Sequence, residues 1–119
     1  MRVLVVDDQK NMCWILDKIL SAAGLAVATA ETVAAALAIA AHEEVCAAVI
    51  DYRLPDGDGL SLFKALRQRQ PQLPAVLITS YGSTQLRDQA LRHGFHAYFD
   101  KPFDNHALLV ALQAALARG

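Results

Sequence analysis

This sequence is short of cysteine, proline and net charge, and each shortage removes a class of protein. Its two cysteines, Cys13 and Cys46, have no metal-like spacing and no partnered histidines, so both read as idle thiols of a reducing compartment. Eleven basic residues against twelve acidic ones leave a net charge of −1, which argues against an electrostatic grip on nucleic acid or anionic membrane. No apolar run approaches the roughly 20 residues that a membrane-spanning helix needs. The amino terminus "MRVLVVDD" meets acid too early for a signal peptide. Four prolines and 55% apolar residues speak against disorder, and 119 residues suit one domain with one core.

What is present is a hydrophobic period that keeps switching. "RVLVV" reads as a buried strand. Met12, Ile15, Leu16, Ile19, Leu20 and Ala23 then recur at helical spacing, and Gly24 stops that helix. "LAVATA" is a second strand, and Thr32 is placed to cap an alanine-rich helix ending near Ala41. "CAAVI" is the third strand and runs into Asp51. The loop "YRLPDGDG" leads to a helix carrying Leu60, Leu62, Phe63 and Leu66. After Pro71 and Pro74 come the strand "AVLIT", a turn at Gly82 and a weakly amphipathic helix predicted over 84–93. "HAYF" is a short fifth strand, and Asp104 or Asn105 caps a last helix with Leu109, Leu112 and Leu116 inward. Five strands alternating with five helices predict an α/β fold, a doubly wound parallel sheet covered on both faces.

In such sheets ligands sit beyond the carboxyl ends of the strands, where the strand order switches. The polar strand ends here all fall on that rim: Asp7 and Asp8 after the first strand, Asp51 after the third, Thr79 and Ser80 after the fourth, Lys101 after the fifth. Three converging carboxylates repel one another, and a hard cation such as Mg²⁺ relieves the repulsion. A carboxylate beside such a metal can attack a phosphoryl group to form an aspartyl phosphate. The transition state spreads charge over three oxygens, for which the metal, the Lys101 ammonium and the Thr79 hydroxyl with a backbone N–H are suited partners. A lone Asp at a strand end is usually a solvated loop residue. Acid pair, single acid, threonine and lysine, each ending a different strand, are much harder to reach by chance.

The acid pair "DD", then "AAVIDYRLPDGDG", "LITSYG" and "YFDKPF" occur in this order along the chain. On these motifs it resembles, from end to end, the response-regulator receiver domains of two-component signalling. The resemblance implies a five-stranded flavodoxin-like (βα)5 receiver fold over residues 1–119. It implies that Asp51 accepts the phosphoryl group and binds Mg²⁺ together with Asp8, with Asp7 through water, and with the backbone carbonyl of Arg53. Thr79 and Lys101 would contact the phosphoryl group, Tyr98 would be the switch aromatic, and Gly59 would permit a strained loop turn. The implied donor is a phosphohistidine on a histidine kinase or phosphotransfer protein. The implied output is a reshaped face of fourth helix, fifth strand and fifth helix that controls an effector domain or partner, with transcription the expected target. Homodimerisation on activation is a further implication, as is a cytoplasmic location. Such a domain catalyses only its own phosphorylation and dephosphorylation, so it is not counted as an enzyme, and it binds neither membrane nor nucleic acid itself.

Some positions depart from the pattern. Ser80 stands where the family most often has alanine. Arg53 and Tyr81 occupy the two positions that modulate self-hydrolysis in the family. Both are bulky and neither orients water as an acid or amide would, so a long-lived phosphoryl-Asp51 is expected. Asp100 is an unusual acid directly before Lys101, and strand alternation turns it away from that side chain toward the surface. Trp14 lies opposite the apolar stripe of the first helix, so it should be exposed, and it is a candidate anchor for a docking kinase. That tryptophan, "LPAVLITSYG" and "KPFD" also resemble the nitrogen-regulation (NtrC-type) branch. The chain is then either a stand-alone regulator or the first domain of a longer transcription factor, and the likeness favours the second. His42, His93, His96 and His106 show no ligand spacing and read as surface.

Rival readings fit less well. A Mg²⁺ phosphohydrolase with an Asp nucleophile wants a second acid where Arg53 stands, and a lid-sized insertion. A flavin-binding domain wants a hydroxyl-rich phosphate loop where "DDQKN" stands. A phosphorylation-independent interaction module on the same fold remains the alternative.

Overall fold

Strands that are apolar on both faces must lie in a sheet covered on both sides. In the computed structural model, which describes residues 1–118, the chain runs β1 (Arg2–Val6), α1 (Lys10–Ala22), β2 (Val27–Ala30), α2 (Val33–His42), β3 (Val45–Asp51), β4 (Arg53–Leu54), β5 (Gly57–Asp58), α3 (Gly59–Arg69), β6 (Ala75–Thr79), α4 (Thr84–Arg92), β7 (Ala97–Asp100) and α5 (Asn105–Arg118). Gly119, with which the expected domain closes, lies outside the described residues. Five strands form one parallel sheet in the order β2-β1-β3-β6-β7. The order reverses between β1 and β3, so the crevice for a ligand opens at their carboxyl ends.

Side chains alternate across the sheet. Val3, Val5, Ala47, Val49, Val76 and Ile78 pack with Leu16 and Leu20 of α1 and Leu108 and Leu112 of α5. Leu4, Val6, Ala48, Ile50, Ala75 and Leu77 pack with Ala36 of α2, Leu62, Phe63 and Leu66 of α3, and Leu86 and Ala90 of α4. Continuing the alternation past the apolar runs sends Asp7 and Asp51 to the α1/α5 side and Thr79 to the α4 side of the same rim. Tyr98 likewise packs on the α4 side, and its neighbour Phe99 on the other.

Several expectations hold and several shift. Thr32 caps α2, its Oγ1 accepting from the Ala35 N–H at 3.0 Å. The last helix is capped by Asp104, whose carboxylate accepts from the His106 N–H at 3.0 Å. Asp58 and Ser83 cap α3 and α4 in the same way. The antiparallel pair β4/β5 inside the "RLPDGD" loop has no sequence signature, because two residues per strand carry no period. It carries Asp56, whose carboxylate accepts from the N–H groups of Val33 at 2.8 Å and Ala34 at 3.0 Å. Those bonds, the Val33 one foremost, hold the Asp56 carboxyl below its usual range.

On α1 the buried seam is Cys13, Leu16 and Leu20, with Met12, Ile15 and Ile19 half-buried, while Ala23 is exposed beyond the helix end. On α5 the seam is Leu108, Leu112 and Ala115, so the expected Leu109 and Leu116 only flank it. His96 is half-buried rather than exposed like the other histidines. Gly59 is needed for a different reason than expected. Among the described residues only Gly24 and Gly94 have positive φ, at 90° and 98°. A Cβ on Gly59 would instead lie 2.6 Å from the Asp51 carbonyl oxygen, so it is close approach to β3, not a strained turn, that requires glycine.

Candidate functional site

The rim over β1 and β3 gathers the predicted charges. Asp7 is fully buried, and its two oxygens are both engaged: Oδ2 with the Lys101 ammonium at 2.7 Å and Oδ1 with the Gln9 N–H at 2.9 Å. Asp51, 5% exposed, has Oδ2 at 3.4 Å from the same ammonium. Asp8 is exposed, and one carboxylate oxygen from each of Asp7, Asp8 and Asp51 lies within 4.8 Å of the others. Lys101 reaches this place because its backbone N–H extends the β6–β7 pairing onto the Thr79 carbonyl at 2.7 Å. The peptide that follows, Lys101–Pro102, is cis.

Three carboxylates against one ammonium leave the site short of positive charge. The Asp51 carboxyl is accordingly pushed up to about 6, by burial first and by the Asp7 charge second, with Lys101 opposing both. A cluster of hard oxygen donors with a charge deficit suits Mg²⁺, which takes a few carboxylates and keeps other positions for water or phosphate oxygens. Beneath it, the buried Cys13 thiol donates to the Asp7 carbonyl at 3.2 Å. Burial, then the Asp7 charge, pushes this thiol up to about 11, which makes it unreactive.

The charged groups open into a cleft of about 260 Å³ lined by Asp8, Gln9, Asp51, Arg53, Ser80, Tyr81 and Lys101. A larger hollow of about 370 Å³ at the opposite end of the sheet, among Val45, Pro74 and Leu116, has no charged side chain in its lining and offers no comparable chemistry. Thr79 is brought to the rim but does not line the cleft: it is fully buried, and its Oγ1 accepts from the Tyr81 N–H at 3.0 Å. Arg53 and Tyr81 touch one another across the mouth, the guanidinium carbon 4.3 Å from the ring centroid. This contact joins distant segments and has no local sequence signal.

Gln9 is a further member of the site that no motif marks. Its side-chain oxygen accepts from the Lys101 ammonium at 3.3 Å, and although it is the N-cap residue of α1 its side chain makes no capping bond. The available signal was its position, directly after the acid pair and before the first helix. Tyr98 lies outside the acid cluster, half-buried, its hydroxyl donating to Asp100 at 2.8 Å. Trp14 is 63% exposed on α1, with the Lys18 ammonium 5.3 Å from its ring centroid.

The family described as response regulator receiver domain matches residues 3–113. Over 115 residues the chain is 33% identical to the DNA-binding transcriptional regulator NtrC of Escherichia coli (strain K12), covering 97% of this chain and 24% of NtrC. The response regulator protein PilR of Pseudomonas aeruginosa is 36% identical over 115 residues, with 97% and 26% covered. The chain thus spans about a quarter of the length of these curated relatives. Among solved structures, the receiver domain of NtrX from Brucella abortus superposes with a TM-score of 0.91 at 29% identity, covering 98% of this chain and 99% of that one. A response regulator protein from Burkholderia pseudomallei, with a phosphorylated aspartic acid, calcium ion and citrate, gives 0.86 at 31% identity over 98% and 69%.

Proposed function

Because the chain belongs to the response-regulator receiver domain family, we propose that residues 1–119 act as a phosphorylation-controlled switch whose phosphoryl acceptor is Asp51. The observation that carries this reading is the single Lys101 ammonium held 2.7 Å from Asp7 and 3.4 Å from Asp51 at an open cleft. The donor is a phosphohistidine on a histidine kinase or phosphotransfer protein, and the receiver works in the cytoplasm. An Asp51 oxygen attacks phosphorus, the P–N bond breaks, and the imidazole leaves with a proton. Asp51 is ionised at neutral pH despite its upward shift, so it can serve as the nucleophile. Asp8, Asp51 and the Arg53 carbonyl would hold Mg²⁺ directly. Asp7, with both oxygens already engaged, would reach it through water. A bound ion would supply the missing positive charge against the incoming phosphoryl oxygens. Lys101 exchanges part of its bond to Asp7 for a phosphoryl oxygen, and the Thr79 hydroxyl leaves the Tyr81 N–H to donate to another.

The phosphorylated aspartic acid in the similar Burkholderia pseudomallei protein supports an acceptor of this kind. NtrC and PilR are regulators, NtrC a DNA-binding one, which supports transcription as the output through the α4–β7–α5 face. Trp14 is the proposed docking anchor for the kinase. The test is the intact mass after incubation with acetyl phosphate and Mg²⁺. One added phosphoryl group, absent without Mg²⁺ and in Asp51→Asn, is the expected result. No gain, together with spectra unchanged by beryllofluoride and Mg²⁺, would leave only the interaction module.

The Arg53–Tyr81 contact over the cleft supports a slow loss of the phosphoryl group, since water must pass beneath it. Tyr81→Ala is expected to shorten the phosphoryl half-life by on the order of fivefold, the worth of an exposed cation–π contact. A half-life of only seconds in the natural sequence would show that the pair excludes nothing.

A further inference from the structure

Asp100 is an acid at this rim that the cluster of carboxylates leaves unused. It follows Tyr98 by two residues in β7, so both side chains lie on the same face, and the Tyr98 hydroxyl donates to its Oδ1 at 2.8 Å. Lys101 is turned away to Asp7, and among the described residues no lysine or arginine forms an ion pair with Asp100. The space opposite is kept open by Gly82 in the loop between β6 and α4, where an added Cβ would overlap both the Tyr98 hydroxyl and the Asp100 carboxylate. Burial, then the bond to Asp100, pushes the Tyr98 phenol up to about 12, so the hydroxyl keeps the proton it donates. In the sheet register Asp100 faces Thr79, whose carbonyl receives the Lys101 N–H. A bond to Asp100 is therefore one residue removed from the two groups assigned to the phosphoryl site.

We infer that Asp100 is a positioning residue whose carboxylate latches the Tyr98 side chain against the β6–α4 loop in the resting protein, and so sets how much binding at Asp51 is needed to release it. The inference rests on the switch reading above. The aromatic ring can turn inward only after this hydrogen bond breaks, so whatever occupies Asp51 works against it. At 2.8 Å the bond has the ordinary length of a hydroxyl hydrogen bond, and the net worth of one such bond makes it a threshold of useful size. Gly82 belongs to the device, since any side chain there would push the pair apart.

Two readouts test it: the dissociation constant of beryllofluoride with Mg²⁺, and the Tyr98 χ1 populations of the unliganded protein from NMR couplings. Asp100→Ala and Tyr98→Phe should each tighten beryllofluoride binding, by roughly threefold to tenfold, the net worth of one such bond. The double variant should gain no more than either single one, because both remove the same bond. Asp100→Asn keeps an acceptor oxygen and should change binding far less, which separates the hydrogen bond from the charge. In Asp100→Ala the Tyr98 rotamer should already be redistributed without ligand. Effects that add in the double variant, or an Asp100→Ala protein with natural affinity, overturn the latch. If the natural protein binds no beryllofluoride the switch reading falls, and an unchanged Tyr98 χ1 in Asp100→Ala then overturns the latch separately.

Discussion

Asparagine at position 51 is expected to abolish phosphoryl incorporation and, in metal-free protein, to raise the melting temperature rather than lower it. The Asp51 carboxyl is shifted from 3.8 to about 6 in the folded state. A raised value means the fold prefers the protonated form, so this group's stabilising share is complete below 3.8 and disappears as pH rises through 6. At neutral pH the folded protein therefore carries a cost of up to about 3 kcal/mol at this residue. The amide removes the charge and keeps the shape. It gives up only the longer of two ion pairs, since Lys101 retains Asp7 at 2.7 Å. A net gain of about 2 kcal/mol is expected, which is roughly 6 °C for a domain of this size. The natural protein should also gain stability on acidification from about pH 7.5 to 5.5, and Asp51→Asn should gain less. Added Mg²⁺ should stabilise the natural protein and leave the variant nearly unchanged. A variant that melts below the natural protein would show that attraction to Lys101 outweighs the crowding of carboxylates.

Gly59→Ala should be strongly destabilising. The new Cβ would sit 2.6 Å from the Asp51 carbonyl oxygen, 2.9 Å from Ile50 Cγ2 and 3.0 Å from Leu77 Cδ1. Side chains can yield by rotating, but the Asp51 carbonyl is backbone of a central strand and cannot. A cost of about 3 kcal/mol is expected, seen as a fall of about 10 °C in melting temperature. Gly24→Ala is the control, because its Cβ meets nothing within 4 Å and only the positive φ resists it. That variant should cost about 1 kcal/mol. Equal melting of the two alanine variants would refute the close-approach account.

The sheet was legible because its strands are apolar on both faces, a pattern that few folds can accommodate. The rim followed, since alternation and chain direction carry Asp7, Asp51 and Lys101 to one end. Helix seams were less legible where the helix is apolar nearly all round. In "NHALLVALQAALAR" Leu108, Leu109, Leu112 and Leu116 compete on equal terms, and only docking on β3 and β6 selects Leu108 and Leu112. Contacts between distant segments, Arg53 on Tyr81 and Gln9 on Lys101, leave no periodic trace. Gly59 shows the remaining gap: its position was recognised, but the neighbouring strand that makes glycine necessary is a feature of packing.

The hairpin that carries Asp56 has a mechanical meaning. Its carboxylate grips the first two N–H groups of α2, and Asp58 at its far end grips the start of α3, so the loop after Asp51 is bolted down on both sides. Across the rim, α4 buries only Leu86 and Ala90 and is fastened at its start by Ser83 alone. The rim is thus built of a stator and a rotor. On the proposed switch reading, strain introduced at Asp51 would meet the firmly capped half first and would be expected to displace the α4 half instead.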